Sequence, residues 1–156
     1  MKITVIAVGK LKETFWKEAC GEYAKRLRRY VPLEIVELDD IDPDKHGGAA
    51  YARELEAASI VKHIPCDSHI ICLDRQGKQL DSEGFADLIE NLGTAGCKNL
   101  VFIIGGPTGL DLQLLESANV RLSFGKITLP HNLARVVLLE QIYRAHRIIK
   151  GEPYHK

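Results

Sequence analysis

Short, almost wholly apolar runs recur along this chain, spaced so that a helix fits between each one and the next. KITVIAV (residues 2–8) is continuous and β-branched, HIICLD (69–74) is short and apolar, and NLVFII (99–104) is apolar from Leu100 onward. A strand that is apolar on both faces has to be covered on both faces, which is the condition of a parallel sheet between helical layers. The intervening segments have helical periodicity. Residues 13–30 are amphipathic, with Phe15, Ala19, Tyr23 and Leu27 on one face, and residues 49–63 are alanine-rich. LEIVELD (33–39) alternates apolar with acidic residues as a further strand. Ser82 is placed to cap a helix running to about Leu92, with Gly93 and Gly96 past its end. A short helix from Leu110 to Ser117, a weak strand VRLSF (120–124) and a helix from Leu133 to Ile149 complete the series. Five strands alternating with five helices predict an α/β fold, a mostly parallel sheet with helices on both faces. No repeat, low-complexity run or linker divides the 156 residues, so a single domain over 1–156 is expected.

Charge narrows the function classes. Twenty-one Lys plus Arg balance 21 Asp plus Glu, so the chain lacks the global basic field that binds nucleic acid indiscriminately. Any polyanion must meet a local patch. The balance is uneven along the chain: KRLRR (25–29) is basic, Glu34–Asp44 holds six carboxylates and no cation, and from Arg135 to Lys156 five cations face Glu140 and Glu152. The longest unbroken apolar run, Leu100–Ile104, is far short of the roughly 20 residues that span a bilayer. The amino-terminal segment turns charged before a signal-peptide core forms, so neither export nor membrane insertion is expected. Cys20, Cys66, Cys72 and Cys97 form no CxxC pair and are expected as buried, reduced thiols of a cytoplasmic protein. Six histidines show no metal-ligand spacing, so no metal is expected.

Three loops follow predicted strands at their carboxyl ends, where open α/β sheets bind ligands: LDRQGK (73–78), IGGPTG (104–109) and FGKITLPH (124–131). Gly105, Gly106 and Gly109 let a backbone approach a ligand closely, and Pro107 stiffens the turn. The same string also suits a tight turn with no ligand. A Walker loop is absent, because Leu110 and Asp111 follow Gly109 where Lys and a hydroxyl are needed, and no G-x-G-x-x-G occurs. What remains is a neutral, backbone-lined pocket suited to an adenosine-like ligand without a polyphosphate. No serine elbow or Cys–His pair supports covalent catalysis. Polar groups near the loops are His131, Asn132, Arg135, Glu140, Arg144 and His146, each equally at home on a solvated helix face. The tail GEPYHK (151–156) joins an aromatic face, a titratable ring and a cation, a set suited to an extruded base beside phosphates.

The last helix is apolar on more than one stripe, through Leu133, Val136, Val137, Leu138, Leu139, Ile142, Tyr143, Ile148 and Ile149. Such a helix needs cover on both sides. One side can be the sheet; the other is a second copy of the chain or, alternatively, more of the monomer.

The strings IGGPTG, LDRQGK and ITLPHNLARVVLLEQIYRAHRIIKGEPYHK closely resemble the RlmH family, the large-subunit ribosomal RNA pseudouridine N3-methyltransferases of the SPOUT class. The resemblance covers essentially the whole chain. It implies a C-terminal trefoil knot whose loops hold S-adenosylmethionine against Leu73, Gly105, Gly106, Pro107, Gly109 and the run Phe124, Gly125, Lys126, Ile127, Thr128 and Leu129. It further implies a homodimer paired through the last helix, the tail of one subunit completing the site of the other, with the assembled ribosome as substrate.

The implied chemistry sets the demands on a site. N3 of pseudouridine is an imide nitrogen whose anion attacks a sulfonium methyl in line, so a catalyst must orient the two centres and favour the deprotonated base. His155 is the candidate base or hydrogen-bonding group, Tyr154 the stacking group, and Arg135, Arg144 and Lys156 the phosphate or anion contacts. Two other classes remain open. A non-catalytic ribosome-associated binding module needs the basic patch but no glycine-lined pocket, whereas a small-molecule enzyme on a flavodoxin-like fold needs the pocket but no PYHK tail.

Overall fold

The computed structural model describes residues 1–153. Strands β1 (Lys2–Val8), β2 (Leu33–Leu38), β3 (Ser68–Gln79), β4 (Asn99–Ile104) and β5 (Val120–Ser123) alternate with helices α1 (Thr14–Leu27), α2 (Ala49–Val61), α3 (Ser82–Thr94), α4 (Leu112–Ser117) and α5 (His131–Ile149). The sheet has the order β2-β1-β4-β3-β5 and every pairing is parallel. The α/β architecture expected from the sequence is the one observed.

Period-two alternation sorts the strand side chains into two cores. Ile3, Val5 and Ala7 of β1 join Leu100, Phe102 and Ile104 of β4 beneath α1, α3 and α5. Ile6, Val8, Val101 and Ile103 point the other way, under Ile60 of α2 and Leu114 and Leu115 of α4. Each of these side chains is at most 8% exposed, and full burial of one such residue stabilises the fold by about 1.5–3 kcal/mol. Both faces are covered, which is why the strands read as unbroken apolar runs.

Several local expectations change. In α1 the inward face is Trp16, Cys20, Tyr23 and Leu27, while Phe15 is 59% exposed. Helix α3 is capped by Asp81, whose Oδ1 accepts from the Gly84 amide at 2.8 Å; Ser82 lies inside the helix and donates to Gln141 Oε1 at 2.9 Å. Cys20 and Cys72 are buried, Cys97 is half-buried and Cys66 is exposed, because Cys66 lies in the turn between α2 and β3. All four are free thiols.

The largest change concerns residues 73–78, which sequence patterning reads as a loop. They belong to β3: Leu73 and Lys78 both pair with Leu122, and Gln79 pairs with Ser123, so the strand swings out after Leu73 and returns to β5. Gly77 permits the return, since a Cβ there would lie 2.6 Å from the Arg121 backbone.

Helix α5 lies against α1 and α3 on the sheet and buries Leu138, Leu139, Ile142 and Tyr143. Leu133, Val136, Val137 and Ile149 remain half-buried and Ile148 is exposed. The monomer therefore covers one stripe of this helix and leaves the second partly open.

Candidate active-site cleft at the edge of the sheet

A cleft of about 520 Å³ opens at the carboxyl ends of β4 and β5, beside residues 73–75 where β3 swings out. Its walls are the three segments singled out in the sequence. Leu73, Gly105, Gly106, Pro107 and Gly109 line it, together with Phe124, Gly125, Ile127, Thr128 and Leu129. Lys126 is exposed and does not line it. Asp74, Arg75, Ile104 and Pro130, which belong to those segments but not to the residues the resemblance implies, line it too; Leu110 and Leu122, outside the three segments, join Ile104 in its apolar floor.

Backbone geometry makes this a cradle. Gly109 has φ +81° and Gly125 φ +116°, values that favour glycine, and a Cβ at either place would meet nothing within 4 Å. The β4 turn is closed by the Gly109 amide donating to the Gly106 carbonyl at 3.0 Å. Arg53 of α2 donates to the Thr108 carbonyl at 3.3 Å from beneath.

A small hydrogen-bond network joins the walls. Ser123, 4% exposed, accepts from the Gly125 amide at 3.1 Å, and its one proton is within reach of the Arg75 carbonyl at 3.0 Å and the Gly125 carbonyl at 3.1 Å. Arg75 Nη1 donates to Thr128 Oγ1 at 3.2 Å. Asp74 is held by the Arg121 guanidinium, whose Nε donates to Asp74 Oδ2 at 2.8 Å, and its Oδ1 accepts from the Gln76 amide at 3.2 Å. The carboxylate at the cleft is thus paired with a cation that does not itself line it.

The first turn of α5 supplies His131 and Ala134 to the cleft. Gly9, at the exit of β1, fixes that turn: a Cβ there would lie 3.0 Å from His131 Nε2, and the Gly9 carbonyl accepts from Arg135 Nη2 at 2.6 Å. Burial, aided by the Arg135 charge, holds His131 below the usual imidazole range, so its ring is neutral near pH 7. It offers the cleft a hydrogen-bonding group without adding charge.

The structure distributes the catalytic candidates differently from the sequence expectation. Arg135 is 1% exposed and is engaged by Glu37 and by the Gly9 carbonyl, so it braces α5 against β1 and β2 and has no surface from which to meet phosphate. Arg144 is paired with Glu140, donating to Oε1 at 3.0 and 2.7 Å, and keeps a partly exposed side chain. Tyr154, His155 and Lys156 lie outside the described residues. Among the described residues no group of three or more His, Cys, Asp or Glu is arranged to hold a metal ion, and no helix is long and apolar enough to cross a membrane.

A parallel sheet thus carries a glycine-walled cleft between the outswing of β3 and the loops after β4 and β5, and the comparisons name the class of protein. A family model described as "Predicted SPOUT methyltransferase" matches residues 1–155, and the chain belongs to that family. Among its relatives, the ribosomal RNA large subunit methyltransferases H of Clostridium botulinum (strain Kyoto / Type A2) and of Clostridium beijerinckii are each 50% identical, the alignments covering 100% of both chains. The fold is also that of a solved "probable methylase family protein" from Haemophilus influenzae Rd KW20, at 13% identity and a TM-score of 0.55, covering 99% of this chain and 70% of that one.

The methyl donor of SPOUT methyltransferases is S-adenosylmethionine, and the residues present fit it. The volume lies within the roughly 300–1,000 Å³ of small-molecule sites. The floor is apolar and the recognition groups are backbone amides and carbonyls; Arg75, a cation among the lining residues, donates to Thr128 Oγ1.

Proposed function

We propose that this protein is a single-domain enzyme that methylates N3 of a pseudouridine in large-subunit ribosomal RNA on the assembled ribosome. The observation that carries the reading is full-length 50% identity to ribosomal RNA large subunit methyltransferases H, joined to a cleft with the chemistry the donor needs. The bound donor supplies an electrophilic methyl group on a sulfonium.

The chain's own residues do the rest. Gly105, Gly106 and Gly109 present their backbone to an adenosine, and Phe124, Gly125 and Leu129 close the opposite wall. Asp74 is paired with Arg121 and His131 is neutral, so neither adds a positive charge that would oppose the donor, and Arg75 is held by the Thr128 hydroxyl. Arg144 and the tail residues Tyr154 and His155 remain the candidates for orienting the base and holding its proton, and Arg135 positions the helix that carries Arg144. The half-buried stripe Leu133, Val136 and Val137 supports pairing of two subunits through α5, which would carry one tail to the other subunit's cleft. The return of β5 beside β3, followed by α5 packing against α1, supports a knotted C-terminal thread. Four free thiols suit a cytoplasmic location.

The test is transfer of a labelled methyl group from S-adenosylmethionine to assembled ribosomes carrying either pseudouridine or uridine at the target. Label on N3 of the pseudouridine alone is expected. Absence of label from all ribosomal RNA, with donor binding intact, would refute the acceptor.

A further inference from the structure

A second concavity, of about 310 Å³, lies at the other end of the molecule. Helix α1 runs back from the cleft edge of the sheet, so its last turns sit at the amino ends of the strands, where α5 also finishes. The walls are Lys25, Arg26, Arg29, Tyr30, Tyr143 and Arg147, with Glu22 the sole acidic residue among them. Glu22 is already taken by Arg26 at 2.7 Å, and Arg147 is paired with Glu152 at 3.1 Å. Lys25 and Arg29 are exposed and make no ion pair among the described residues, and Arg28 is exposed beside them. In a chain of zero formal charge, this is a concentrated positive surface.

Its aromatic content separates it from a plain basic patch. The Arg26 guanidinium lies 5.8 Å from the Tyr23 ring centre and 5.7 Å from that of Tyr143, and Arg147 lies 5.9 Å from the Tyr143 ring. Tyr30 packs edge-on against Tyr143, with ring centres 5.9 Å apart. Guanidinium planes held against rings are ordered before a ligand arrives, and they combine phosphate forks with flat surfaces for bases. An acidic peptide would use the charge but leave the planes unused. The groove also holds the last two described residues, because Tyr30 Oη donates to Glu152 at 2.5 Å and Arg147 donates to the Pro153 carbonyl. The residues that follow Pro153 are the tail in which the candidate chemistry lies.

We propose that this α1–α5 groove, where Glu152 and Pro153 are anchored, binds the phosphodiester backbone of unpaired substrate RNA. The inference rests on the ribosomal RNA reading above and assigns that substrate a docking surface distinct from the donor cleft.

The test compares the wild type with the Lys25→Gln/Arg29→Gln double variant. Both side chains are exposed, so the melting temperature should not move. Expected are an unchanged affinity for S-adenosylmethionine, an unchanged kcat, and a KM for large ribosomal subunits raised about tenfold. The slope of log affinity against log salt should shrink by about 1.4, at about 0.7 for each lost contact to single-stranded RNA. An unchanged KM together with an unchanged slope would overturn the groove. So would displacement of bound RNA by poly-aspartate as effective as displacement by a single-stranded oligonucleotide of equal charge. If the wild type binds subunits but methylates nothing, the methylation reading fails while the salt slopes still decide the groove.

Discussion

Replacing Arg135 with Ala separates a structural brace from an RNA contact. The guanidinium donates to the Gly9 carbonyl at 2.6 Å and to Glu37, and its side chain is 1% exposed. Glu37 is 37% exposed and also accepts from the Leu11 amide at 3.2 Å, so losing the ion pair leaves a carboxylate that water can reach. That part costs about 1 kcal/mol, as for solvent-accessible pairs. The Gly9 carbonyl lies in a closed site and loses a charged donor, which costs about 2 kcal/mol. Two methylenes of the buried stem are lost at about 0.8 kcal/mol each. Together these predict about 4 to 5 kcal/mol, a large share of the roughly 5–15 kcal/mol that holds a domain folded. At about 2–4 °C per kcal/mol for a domain of this size, the melting temperature should fall by roughly 8–20 °C. Denaturant melts and calorimetry measure this, and a companion NMR titration should show His131 moving up once the neighbouring charge is gone. Arg135→Lys should recover little, because an ammonium cannot span both acceptors. A variant with unchanged melting temperature but weakened, less salt-dependent RNA binding would refute the brace and restore the phosphate contact.

Gly77→Ala should cost about 1–3 kcal/mol by overpacking against the Arg121 backbone and, by displacing Asp74 and Arg75, weaken S-adenosylmethionine binding in calorimetric titration. Glu56, 4% exposed beneath the Gly106 loop, has one carboxylate oxygen accepting from the Ile41 amide at 2.9 Å and the other without a partner among the described residues. Burial raises its pKa, so the folded chain holds that proton more tightly than the unfolded one; the associated stability is present at low pH and is lost as pH rises through the folded value. Glu56→Gln should therefore flatten the stability-against-pH curve on the acid side of neutrality, and an unaltered curve would count against it. Val137→Glu, on the open stripe of α5, should give the monomer mass by sedimentation equilibrium where the wild type gives twice that mass.

The alternation of strand and helix, both covered faces and the glycine-walled loops were legible in sequence because each follows from local periodicity or from a residue's own backbone freedom. Ten of the eleven cleft residues expected from the resemblance line the observed cleft, all but Lys126. Long-range pairings left no local signal. Nothing in LDRQGK announces that β3 swings out and returns to pair Lys78 with Leu122, because that register is set by a strand more than forty residues later. Likewise Arg135 reads as a solvated cation on a helix, and its burial depends on a carboxylate 98 positions away and on the bend at Gly9. The basic string KRLRR was visible as charge, but tyrosines from two helices make it a groove. Sequence by itself determined the layers and the kind of ligand edge this protein has, because periodicity and glycine act within a few residues. Tertiary structure alone decided which cations are buried braces and which are free to meet a polyanion, because a charge's role is fixed by the partners the fold brings to it.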